Sequence, residues 1–129
     1  MKTQAICAIA TPPGSSALGI IRISGKDLKN ITKQMFSKDL QNRKATLVSI
    51  LDDKSLLDNC ISIFYESPMS YTGEEMIEII CHGNQVIMNS ILSLLNKIGV
   101  RLAKPGEFTE RAFFNDKVDL IQAEAISDL

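Results

Sequence analysis

Three cysteines, a single histidine and no long apolar run are the first constraints in this chain of 129 residues. Cys7, Cys60 and Cys81 are odd in number and include no C-x-x-C pair, which argues against a disulfide framework or a zinc site and fits a reducing compartment. The lone histidine, His82, follows Cys81 directly, and neighbours on a strand point to opposite faces, so the two would not chelate one metal. No apolar run approaches the ~18 residues of a membrane span. Met1-Lys2-Thr3-Gln4 leads straight into apolar sequence without a signal or transit pattern, so a soluble, cytoplasmic protein with no membrane partner is expected. A net charge of −1 gives no global field for a polyanion. A phosphate loop is missing as well: Gly19 and Gly25-Lys26 bracket five residues where four are needed, and Asp27 stands where the magnesium-binding hydroxyl belongs. There is no G-x-S-x-G elbow, internal repeat or low-complexity tract.

What is present is an ordinary globular balance, 45% apolar and 22% charged, which speaks against disorder and for one domain with a single core. The near-zero net charge hides an asymmetry. Residues 1–51 carry eight Lys/Arg against Asp27 and Asp39, a net of +6, and the remainder has a net of −7. The basic third is either a solvated face or a polyanion-binding one.

Apolar, β-branched runs predict strands at 4–10, 18–23, 45–51, 59–66, 76–81 and 100–103, with a hairpin across Asp52-Asp53-Lys54-Ser55. Leu28, Ile31, Met35 and Phe36 form the stripe of a helix expected to start at Ser24, with Asp27 three residues on as its capping partner. Ile87, Ile91, Leu94, Leu95 and Ile98 form a second stripe, stopped by Gly99. A short helix is expected near 107–114, with Phe113 and Phe114 in the core, and another from Asp119, with Gln122 at its third position. A chain that stops inside that last helix suggests a piece of a longer protein. The order β-β-α-β-β-β-α-β, with two main helices covering one face of a mixed or antiparallel sheet, is an α+β domain.

Two charged residues stand inside apolar strands: Arg22 in Leu18-Gly19-Ile20-Ile21-Arg22-Ile23 and Glu78 in Met76-Ile77-Glu78-Ile79-Ile80. By alternation Glu78 shares a face with Met76, Ile80 and His82. A charge in such a strand costs several kcal/mol unless it is paired or meets water or a ligand. Either Arg22 and Glu78 pair structurally, or they wall a polar pocket. A carboxylate there can accept two parallel N–H bonds from an amino-substituted heterocycle, and a guanidinium can grip a carbonyl or carboxylate. The turns Tyr71-Thr72-Gly73-Glu74-Glu75 and His82-Gly83-Asn84 flank the Glu78 strand.

Several stretches carry a family resemblance: Ala10-Thr11-Pro12-Pro13-Gly14, Gly19-Ile20-Ile21-Arg22-Ile23-Ser24-Gly25, and Tyr71-Thr72-Gly73-Glu74 through Glu78 to His82-Gly83. The longest runs from Arg101 through Lys104-Pro105-Gly106-Glu107-Phe108-Thr109-Glu110-Arg111-Ala112-Phe113 and on to Asn115, Lys117, Asp119-Leu120 and Gln122-Ala123-Glu124-Ala125-Ile126. Together they resemble the N-terminal domain of the MnmE (TrmE) family of tRNA modification GTPases.

The resemblance implies a fold like the folate-binding domain of the glycine-cleavage T protein, homodimerisation, and binding of a tetrahydrofolate derivative such as 5-formyltetrahydrofolate or 5,10-methylenetetrahydrofolate. By motif, the family's folate-contacting residues fall on Arg22, Glu78 and Lys117. It also implies a first domain over residues 1–117, with 118–129 opening a helical domain. GTP, magnesium and potassium would belong to a GTPase domain absent from this chain. With the flavoprotein MnmG (GidA), such proteins add an aminomethyl-type group to C5 of the wobble uridine of tRNA. The chain departs from the family pattern at Ser15-Ser16-Ala17, where Arg-Gly-Gly is usual, and at Asn84, where a second glycine is usual. Both loops are expected to lose glycine freedom. The alternatives are a stand-alone folate-dependent aminomethyltransferase, a purely structural dimeriser, and an assembly module whose basic segment (Lys26, Lys29, Lys33, Lys38, Arg43, Lys44) docks tRNA or the partner protein.

Overall fold

The computed structural model describes residues 4–11 and 17–127. Six strands form one sheet: β1 (Ile6–Ile9), β2 (Leu18–Gly25), β3 (Thr46–Asp52), β4 (Ser55–Tyr65), β5 (Glu75–His82) and β6 (Arg101–Leu102), in the spatial order β3-β4-β5-β2-β1-β6. All neighbours are antiparallel except β1 and β6, so the sheet is mixed. Helix α1 (Leu28–Phe36) joins β2 to β3, α2 (Gln85–Lys97) joins β5 to β6, and α3 (Glu107–Phe114) and α4 (Leu120–Ser127) follow. This is the α+β class expected. The hairpin turns as predicted, with Asp52 paired to Ser55, although β4 begins at Ser55 rather than near 59.

Both main helices cover one face. Ile21, Ile23, Val48, Ile50, Cys60, Phe64, Ile77, Ile79 and Cys81 point from the strands into a single buried cluster. They meet Leu28, Ile31, Met35 and Phe36 of α1 and Met88, Ile91, Leu94 and Leu95 of α2. Strand alternation therefore sends Ile20, Arg22, Ile61, Tyr65, Met76, Glu78 and Ile80 to the opposite face. At one end of that face the segment after β4 returns to the sheet, where its Thr72 and Glu74 meet the buried Ser24, and helix α3 packs against that segment through Thr109 on Tyr71 and Arg111 on Glu74.

The predicted start of α1 is wrong. Ser24 is the penultimate residue of β2, and its buried hydroxyl meets Thr72 Oγ1 at 2.7 Å and donates to Glu74 Oε1 at 2.8 Å. The helix begins after Asp27, and the Leu28 N–H is capped from a distance by Glu75 Oε1 at 2.9 Å. Phe114 is not core either: it is 72% exposed and contacts Phe113 edge-on. The expected box at α4 is present, Gln122 N–H donating to Asp119 Oδ1 at 2.7 Å and Asp119 N–H to Gln122 Oε1 at 2.9 Å. Asn84 has ordinary extended dihedrals, so nothing there demands glycine; its side chain caps Val86 and Ile87 at the start of α2. The Ser15-Ser16 part of the other departure lies outside the described residues.

Candidate functional site

Arg22 and Glu78 are direct cross-strand partners on β2 and β5. Arg22 Nε donates to Glu78 Oε2 at 2.8 Å, and Tyr65 Oη donates to Glu78 Oε1 at 2.9 Å. Each carboxylate oxygen thus has one protein donor and keeps a second lone-pair site. The pair is not sealed away: the Arg22 side chain is 45% exposed and Glu78 is 20% exposed. Burial, the hydrogen bond to Glu78 and the carboxylate's charge all push the Tyr65 phenol upward, which keeps it a proton donor at neutral pH. Pairing and a pocket wall, the two sequence readings, hold at once.

Lys117 arrives from a different element. The chain turns after α3 through Asp116, which has a left-handed backbone (φ 59°), and the Lys117 N–H returns to Ala112 O at 2.8 Å. Asn115 Nδ2 donates to Thr72 O and to Arg111 O, both at 2.9 Å, fastening this turn to the segment before β5. Gly73 (φ 82°) allows the approach, since a Cβ there would lie 2.8 Å from Asn115 Cβ and 3.3 Å from Lys117 Cγ.

The result is one cleft of about 420 Å³ on the open sheet face, lined by Arg22, Glu78 and Lys117 together with Arg43, Tyr65, Met69, Ser70, Tyr71 and Met76. The three sequence-predicted residues are brought together; His82 is not among them. His82 Nδ1 lies 2.7 Å from Asp58 Oδ1, and its backbone N–H donates to Asp58 Oδ2 at 2.9 Å. Those hydrogen bonds from His82 hold the Asp58 carboxyl below its ordinary value in spite of burial. Sequence reasoning missed Tyr65 and Arg43. Alternation puts Tyr65 on the Glu78 face, but only the β4–β5 register, with Ile63 opposite Glu78, shows that it reaches the carboxylate. Arg43 lies in a loop and carried no signal beyond its charge.

A buried ionic network braces the wall behind the cleft. Arg111 Nη1 donates to Glu74 Oε1 at 3.0 Å, and Nη2 donates to Gln4 O at 2.7 Å and Glu107 Oε2 at 3.3 Å. Glu107 also receives both Arg101 terminal nitrogens, at 2.8 and 2.5 Å; the Arg101 bonds lead in holding its carboxyl down to about 2. A larger cavity of about 820 Å³ borders this network, but its Arg111, Arg101, Glu74 and Glu107 are committed to one another, and none of Arg22, Glu78 and Lys117 lines it.

A mixed sheet with both helices on one face and a cation-rich cleft on the other defines an α+β domain with a site sized for a small polar ligand. The chain belongs to the family described as GTP-binding protein TrmE N-terminus, whose model matches residues 5–117. It is 49% identical over 124 residues to the tRNA modification GTPase MnmE of Francisella tularensis subsp. holarctica (strain FTNF002-00 / FTA), covering 96% of this chain and 28% of that protein. It is 48% identical, with the same coverage, to the protein of that name from Francisella philomiragia subsp. philomiragia (strain ATCC 25017). The chain therefore spans little more than a quarter of the length of these relatives. No described helix is long and apolar enough to cross a membrane.

Proposed function

We propose that this protein is the tetrahydrofolate-binding and homodimerising part of a cytoplasmic tRNA modification GTPase. The observation that carries the reading is the convergence of Arg22, Glu78 and Lys117, from β2, β5 and the turn after α3, on one cleft.

The residues fit the ligand. Glu78 keeps one free lone-pair site on each oxygen, enough for the adjacent amino group and ring N–H of a reduced pterin. Tyr65, Tyr71, Met69 and Met76 offer the flat and polarizable surface a ring requires. Arg22 and Lys117 hold its carbonyl or anionic parts. The bound folate supplies a one-carbon unit; this chain's part is to bind and orient it. GTP hydrolysis, with magnesium and potassium, would belong to the part of the relatives beyond this chain. Residues 118–129, with α4, would open the helical domain that follows the folate domain of residues 1–117. The full assembly would work with the flavoprotein MnmG on the wobble uridine of tRNA.

Titration of the protein with 5-formyltetrahydrofolate in a calorimeter tests the site. Saturable binding is expected, with a loss of about tenfold or more in Arg22→Ala and in Glu78→Ala, each removing one charge-assisted contact. A folded wild-type protein that takes up no folate would overturn the reading.

A further inference from the structure

We propose that Arg43 reads the anionic tail of the ligand: its guanidinium binds the carboxylates of an extended γ-glutamyl chain whose ring end sits at Glu78. This inference rests on the folate reading above and adds the tail to it.

The cleft has a floor and a rim. Met76 is buried and Tyr65 and Glu78 are half-buried, whereas Arg43, Tyr71 and Lys117 are exposed. Among the described lining residues Glu78 is the sole carboxylate, facing three cations, so the cleft is net positive. Arg22 is already paired with Glu78. The Arg43 guanidinium makes no hydrogen bond or ion pair among the described residues, although its planar fork matches a carboxylate.

The backbone of Arg43 is fixed. Its N–H donates to Phe64 O at 2.7 Å, Asn42 forms a bridge with Phe64, and Asn42 Oδ1 accepts from Glu66 N–H at 2.9 Å. The residue is thus tied to the end of β4 beside Tyr65. Five described non-glycine residues have positive φ; three are aspartates and one is a serine, and Arg43 (φ 60°) is the one with a long side chain. That conformation costs about 1–2 kcal/mol.

Of the cations that line the cleft, Arg22 is engaged by Glu78, and Arg43 rather than Lys117 brings the planar fork that can grip a carboxylate through two parallel bonds.

The test compares monoglutamyl and triglutamyl 5-formyltetrahydrofolate on the wild-type protein, Arg43→Asn and Glu78→Gln. Asparagine accepts a left-handed backbone, so the first variant removes the charge without adding strain. The expected result is that Arg43→Asn weakens the triglutamate by about fivefold more than the monoglutamate, an exposed ion pair's worth. Glu78→Gln weakens both by the same factor. Equal losses for both ligands in Arg43→Asn, no loss at all, or a larger loss for the monoglutamate would overturn the role of Arg43 while leaving the ring site standing. Failure of the wild-type protein to bind either ligand would remove the folate reading and this inference together.

Discussion

At the residue scale the strongest electrostatics belong to the wall that holds the cleft in shape. Glu107 takes two hydrogen bonds from Arg101 and one from Arg111, and its carboxyl falls from 4.5 to about 2. A carboxylate depressed on folding stabilises the native state fully above its unfolded value, and that contribution is lost as pH falls through the folded one. The window therefore runs from about pH 4.5 down to about pH 2, and its full size is on the order of 3 kcal/mol. Asp58, also held low, acts in the same direction. Urea unfolding at pH 7 should show Glu107→Gln well below wild type, and at pH 2.5 the gap should shrink sharply because the carboxyl is then protonated in the unfolded chain and the pH is close to its folded value of about 2. A gap of equal size at both pH values would mean that Glu107 contributes packing rather than charge.

At the scale of elements, the helix starts separate what a sequence can disclose from what it cannot. Asn84 caps α2 through its own side chain, a local arrangement, and Asn84→Ala should cost about 1 kcal/mol while Asn84→Gly costs only a few tenths. Chemical denaturation of the two variants measures the difference; equal losses would show that the cap carries no weight. The α4 box between Asp119 and Gln122 is equally local and was legible. Helix α1 is the opposite case. Its first N–H is satisfied by Glu75, and the serine that resembles a cap is turned instead toward Thr72 and Glu74. Those partners lie nearly fifty residues away, so local spacing favoured the wrong start. The site divides along the same line. Arg22 and Glu78 were visible because charges inside apolar strands demand an explanation, and Lys117 only because its surrounding motif matched a family. Tyr65 and Arg43 depend on cross-strand register and a long-range bridge, which no window of sequence contains.

At the scale of the whole molecule, the sheet keeps its open face in view. Leu47, Ile61, Ile80 and Ile20 stand in one register across β3, β4, β5 and β2, an apolar row beside the Arg22–Glu78 row. Leu47 is 69% and Ile61 40% exposed. A row of this kind on a sheet face is characteristic of an association surface, and it is the support this chain gives to the homodimer proposed above. A closed two-fold contact would set each row against its own copy, so one substitution places two carboxylates in the interface. Leu47→Glu and Ile61→Glu should each convert the dimer to monomer in sedimentation equilibrium. Both positions are solvated in the single chain, so far-ultraviolet circular dichroism should not change. The melting temperature of the wild-type protein should rise with protein concentration, and that of the variants should not, because association stabilises only the state that associates. If both variants sediment as dimers, the contact lies elsewhere on the molecule and the apolar row serves another partner.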